Sequence, residues 1–221
     1  MLLTETISKT TSAIKMRRAT IESKQLAEAY GRALAQLSQA TDGIKTTLEC
    51  AVAMKESGIV DTPLMDETTR GDLLAIIDDC GNGVSEITLS LETVRLLKSK
   101  GDGIASQIKL IWKDAAKKYS DGTKGYLSMI GGLSADPKRS KELSDNIGKL
   151  VTGDPTISGI NSLVSNVAEA KQIVEAFSLN PEIELFLKKV SAQQATVIDL
   201  TPNVLAWLKE KNLTSKLRVR F

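Results

Sequence analysis

Seven apolar residues between positions 73 and 94 constrain the fold of this chain most. Leu73, Ile77, Cys80, Val84, Ile87, Leu91 and Val94 follow one another at spacings of 4, 3, 4, 3, 4 and 3. That heptad seam keeps one apolar stripe on one side of a helix for about 30 Å, at a rise of about 1.5 Å per residue. The spacing predicts a continuous helix over 64–99. Such a stripe must be buried against a neighbour, within the chain or outside it.

Residues 4–57 supply a first candidate neighbour. Ile7, Ile14 and Ile21 recur every seven residues, and a second series runs through Tyr30, Leu34, Leu37, Thr41, Ile44, Leu48 and Ala51. The two series are about two residues out of phase, which predicts a bend or break between Ser23 and Leu26. Ser57-Gly58 places glycine where a helix C-terminus favours it, and a short connection then makes antiparallel neighbours. The first 100 residues are expected to form a long α-hairpin with facing seams.

All five prolines follow a capping-type residue: Thr62-Pro63, Asp136-Pro137, Asp154-Pro155, Asn180-Pro181 and Thr201-Pro202. Proline at the first helical position loses nothing, because its missing N–H has no partner there anyway. Five helix starts are therefore expected at these places. Gly101-Asp102-Gly103 is read as a boundary, and Ser120-Asp121-Gly122-Thr123 as a turn after a helix over 104–119. Helices are expected over 137–151, 155–177 and 181–191. Thr196 to Leu200 reads as β-like, Pro202 to Lys211 as helical, and Lys216 to Phe221 alternates strictly. The expected organisation is an α-hairpin over 1–100, a helical bundle over 101–195, and a small β-α-β-like element over 196–221. The fold class is all-α with that small terminal β element.

Composition narrows the function. Histidine is absent, which removes a histidine general base, the Ser-His-Asp and Cys-His systems and the commonest metal ligand. Two cysteines cannot build a four-cysteine zinc site. If the hairpin turns near Val60, Cys50 and Cys80 lie about 15 Å apart along its axis, so two reduced thiols are expected. Asp72, Asp78 and Asp79 read as a solvated acidic face, since adjacent helical carboxylates diverge by about 100°. No catalytic residue, metal, cofactor or small-molecule substrate is inferred. The N-terminus lacks the basic and apolar regions of a signal peptide, and no uncharged run is long enough to span a bilayer. A cytoplasmic protein that does not enter membranes is expected.

Two surfaces remain as candidates. The first is the helix-2 seam and its edge: Leu73, Ile77, Val84, Ile87, Leu91 and Val94, with the surplus apolar residues Leu74, Leu89 and Leu96. Gly81 and Gly83 lie in its middle and are read as a hinge or bend costing about 2 kcal/mol against two alanines. The second is a basic patch of Lys109, Lys113, Lys117, Lys118, Lys138 and Arg139 with Arg218 and Arg220 of the tail. The expected function is a non-enzymatic scaffold or adaptor that assembles with itself or a partner protein by coiled-coil-type packing. The alternatives are a nucleic-acid-associated accessory protein using the basic patch, and a helical pore-former, which the lack of a long uncharged segment disfavours.

Overall fold

The computed structural model describes residues 2–215, with side-chain burial from residue 12. Its elements are α1 (Leu2–Glu56), α2 (Glu67–Ser85), α3 (Leu91–Ile130), α4 (Pro137–Thr152), α5 (Ile157–Glu175), α6 (Pro181–Ser191), a 3-10 turn (Val197–Asp199) and α7 (Pro202–Glu210). The fold is all-α, and no strand occurs among the described residues.

Two compact units divide the chain. The first comprises Met1–Glu49 and Pro63–Ile108, the second Cys50–Thr62 and Lys109–Phe221. In the first unit the Tyr30 hydroxyl donates to the Val84 carbonyl at 3.1 Å, which sets α1 beside the end of α2. Tyr30 lies 26 residues before Glu56, and Val84 lies 17 after Glu67. If these helices ran parallel, residues 57–66 would have to span about 64 Å, well beyond the reach of about 35 Å for ten residues. They are antiparallel. Lys100 pairs with Asp72 at 2.8 Å, as an antiparallel α2–α3 hairpin requires. Ala33, Ala40, Ile44, Leu73, Ile76, Cys80, Leu97 and Ile104 are among the side chains buried here.

The expected continuous helix over 64–99 is interrupted. α2 ends at Ser85 and α3 begins at Leu91. Ile87 adopts a left-handed φ of 59°, and the Thr88 and Leu89 N–H groups donate back to the Gly83 carbonyl at 2.8 and 2.9 Å. This is a Schellman-type ending with isoleucine where glycine is usual. The new start at Leu91 is capped by Ser90, whose hydroxyl accepts from the Thr93 N–H at 3.1 Å. The bend therefore lies after Gly81 and Gly83, and α2 runs through both. A Cβ on Gly83 would sit 3.0 Å from the Leu89 Cα, so this glycine makes room for the chain folding back.

Other expectations change for local reasons. α1 passes through 23–26 without a break. Side chains 12–28 are all exposed, so Ile14 and Ile21 have no buried stripe to stay in phase with. Gly101-Asp102-Gly103 lies inside α3, where Gly101 lets Ile44 approach: a Cβ there would stand 2.6 Å from the Ile44 Cγ1. Ser120 to Thr123 is also helical, with the buried Ser120 hydroxyl donating to the Ala116 carbonyl at 2.8 Å. Asp136, Asn180 and Thr201 cap α4, α6 and α7 as expected. Pro63 lies in a loop and Asp66 caps α2, while Thr156 rather than Asp154 caps α5.

In the second unit, α1 closes with Gly58 at φ 69° and the Ile59 N–H donating to Met54. Trp112 of α3 donates from Nε1 to the Gly153 carbonyl at 3.2 Å, and the Cys50 thiol to the Pro155 carbonyl at 3.6 Å. Both hold the α4–α5 connection. Arg139 forks onto Glu169 at 2.7 and 2.6 Å, joining α4 to α5. A second cluster buries Ile130, Phe177, Phe186, Leu187, Trp207 and Leu213. Residues 197–199 form the 3-10 turn instead of a strand, because the Asp199 carboxylate accepts from the Thr196 N–H and hydroxyl and closes the chain locally. The expected strand over 216–221 lies outside the described residues.

Candidate functional site

The helix-2 seam divides into buried and exposed parts. Leu73, Leu89 and Val94 are core residues and Leu91 is half-buried. Their burial within the chain withdraws them from any partner. Ile77 and Val84 are 38% and 37% exposed, Leu74 is 51% exposed, and Ile87 at the turn is 74% exposed. Leu96 is also exposed, on α3. On α2 the inner stripe is Leu73, Ile76 and Cys80, while Leu74, Ile77, Gly81 and Val84 form an outer edge at spacings of 3, 4 and 3. A Cβ on Gly81 would meet nothing within 4 Å, so the edge has an open notch at its centre. Asp78 is exposed on the flank of this edge, while Asp79 is exposed on the opposite side of the helix. Burial, with the Asp79 charge adding to it, pushes the Cys80 thiol up, so Cys80 behaves as a small core residue and not as a nucleophile.

The second exposed feature is the start of α1. From Ser12 to Glu28 every side chain is exposed, including Ile14, Met16, Ile21 and Leu26. A helix ordinarily hides one face; this stretch hides none. The isoleucine repeat was the one signal in the sequence for this surface. It did not single out Arg17 and Arg18, which lie between Ile14 and Ile21 and flank them.

The basic patch is only partly available. Lys109 pairs with Asp154 at 2.5 Å, and Arg139 is taken up by Glu169 and Glu142. Lys113, Lys117, Lys118 and Lys138 are exposed, and Arg218 and Arg220 lie outside the described residues. A groove of about 620 Å³ separates α1 from α3 in the first unit, with Gln36, Gln39, Arg95, Lys98 and Asp102 on its walls. A smaller one of about 440 Å³ in the second unit is lined by Thr123, Tyr126, Lys171 and Glu175. Among the described residues no group of three or more His, Cys, Asp or Glu is placed to hold a metal ion. No helix among them is long and apolar enough to cross a membrane.

One carboxylate in the second unit gives a pH prediction. Asp199 accepts from Lys189 Nζ and from Thr196, and these partners, Lys189 foremost, hold its pKa at about 2, below the ordinary 3.8. A folded-state pKa below the unfolded one adds stability above about pH 4, and this stability is lost as pH falls toward about 2. Thermal melts between pH 5 and about pH 2 are expected to fall more steeply for the natural chain than for Asp199→Asn. Equal slopes would show that the pair does not stabilise the fold.

No protein-family model, no curated protein and no solved structure matches this chain.

Proposed function

We propose that this protein is a non-enzymatic helical scaffold or adaptor subunit that assembles through helix packing. The carrying observation is the first part of α1, a helical arm whose side chains are exposed on every face between Ser12 and Glu28. Isolated helices of this length are marginal in water, and most helical stability in proteins comes from packing. An arm with two isoleucines two turns apart suits another helix as partner. The outer edge of α2 offers a second apolar surface of the same kind.

Light scattering at two concentrations tests this reading, together with a pull-down from the native source. The full chain is expected to exceed the monomer mass or to retain a partner, and removal of residues 1–28 is expected to abolish either. A strictly monomeric chain that retains nothing would overturn the reading. The exposed Lys113, Lys117 and Lys118 support the nucleic-acid alternative, but pairing of Lys109 and Arg139 with acids weakens it. No retention of duplex or single-stranded oligonucleotides at about 50 mM salt would end that alternative.

A further inference from the structure

We propose that the α1 arm docks on the outer edge of α2 of a second copy of this chain, so that two copies exchange arms about a two-fold axis. This rests on the scaffold reading and names the partner. The arm cannot fill that edge in its own chain. Tyr30 marks the point where α1 meets the end of α2. Beyond it α1 remains helical, so Ile21 lies about 13 Å and Ile14 about 24 Å past that point. The arm overhangs its own α2.

The two surfaces match in spacing and in charge. Ile14 and Ile21 are seven residues apart on the arm, and Ile77 and Val84 are seven apart on α2. At 100° per residue, Arg17 and Arg18 fall on opposite flanks of the isoleucine line. On α2 the notch at Gly81 lies between Ile77 and Val84, with Asp78 on its flank. Residues 12–28 carry Lys15, Arg17, Arg18 and Lys24 against Glu22 and Glu28. α2 carries Glu67, Asp72, Asp78 and Asp79 against Arg70, and Asp72 is taken up by Lys100. The groove between α1 and α3 is a poorer seat for the arm, since Arg95 and Lys98 stand on its wall.

The geometry also closes. A two-fold axis through the overlapping arms sets the two α1 helices antiparallel. Because α2 is antiparallel to α1, each arm then runs parallel to the second copy's α2. Ile14 beside the second copy's Ile77 therefore brings Ile21 beside its Val84, and the same holds in reverse. An arm of 17 residues is about 25 Å long and about 10 Å wide. In this register residues 12–22 of the arm, about 15 Å, lie along α2, because Glu22 falls beside its last residue Ser85. With residues 23–28 of the two arms side by side about the axis, both faces of these contacts cover about 800 Å², the size of a weak, reversible interface.

Sedimentation equilibrium on the full chain tests this with two charge reversals, Arg17→Glu with Arg18→Glu, and Asp78→Lys. All three side chains are exposed, so the fold is expected to persist in both variants, with unchanged circular dichroism melts. The natural chain is expected to dimerise, and each reversed chain to dimerise about 100-fold more weakly. An equimolar mixture of the two variants is expected to recover the dimer, because every arm then meets opposite charge. A dimer that neither reversal weakens, or a mixture that stays monomeric, overturns the docking and leaves the scaffold reading standing. A monomer whose arm holds a different protein overturns the second copy as partner. A monomer that retains nothing overturns both readings.

Discussion

Replacing Trp112 with alanine is expected to lower the stability of the second unit by about 3–5 kcal/mol, among the largest effects of any single change in this chain. The side chain is 1% exposed, so its removal leaves a cavity that helices held at both ends cannot close. The Gly153 carbonyl also loses the indole N–H that it accepts at 3.2 Å. That carbonyl belongs to the C-cap residue of α4, just before the turn into α5. The defect therefore reaches the α4–α5 hairpin as well as α3. Trp112→Phe separates the two effects: it keeps most of the volume and loses the hydrogen bond, and should cost about 1–2 kcal/mol. Urea unfolding followed by circular dichroism provides the measurement. A Trp112→Ala loss below about 1 kcal/mol would show that the indole is not part of a close-packed core.

Trp207→Ala is expected to destabilise by a similar amount, about 3–5 kcal/mol, at a different place in the same unit. Trp207 lies among Phe177, Phe186, Leu187 and Leu213, with its ring tilted at 43° to that of Phe177. Its Nε1 donates to the Phe177 carbonyl at 2.7 Å, where α5 has just ended. The single residue thus ties α7 to the end of α5 by packing and by a hydrogen bond. A loss of about 4 kcal/mol corresponds to a fall in melting temperature of about 10 °C for a chain of this size. The Trp112 and Trp207 substitutions share no hydrogen-bond partner, so their effects on urea unfolding should add to within about 0.5 kcal/mol. A large departure from additivity would show that the two sites are coupled through the helices between them.

The all-α fold was legible because the apolar spacing and the proline positions agreed with each other. Asp136-Pro137, Asn180-Pro181 and Thr201-Pro202 each begin a helix where the capping rule places it. Gly58 ends α1 with a positive φ, as a helix C-terminus favours. The break between α2 and α3 was not legible. It carries no glycine or proline, and its left-handed residue is Ile87, where a side chain costs about 1–2 kcal/mol. Ser178, Gln193 and Asn212 are also left-handed and come after α5, α6 and α7, but those helix ends were expected near 177, 191 and 211. Conversely, Gly101-Asp102-Gly103 has the composition of a boundary and is helix. Close approach by Ile44 explains Gly101, and that is a tertiary fact.

The candidate surface was half legible. The surplus apolar residues beside the helix-2 seam pointed to Leu74, Ile77 and Val84, which are exposed. The arm was visible only as an isoleucine repeat out of phase with the series from Tyr30 to Ala51. Periodicity reports that an apolar stripe exists, and composition excludes histidine chemistry; both come from the chain alone. Which stripe is covered depends on the direction of each helix and on where it ends. Those were decided by long-range contacts such as Tyr30 on Val84 and Lys100 on Asp72, between residues far apart in the sequence. Local spacing carries no information about such contacts. Only the tertiary structure shows Leu73 and Val94 buried and the Ser12 to Glu28 arm exposed.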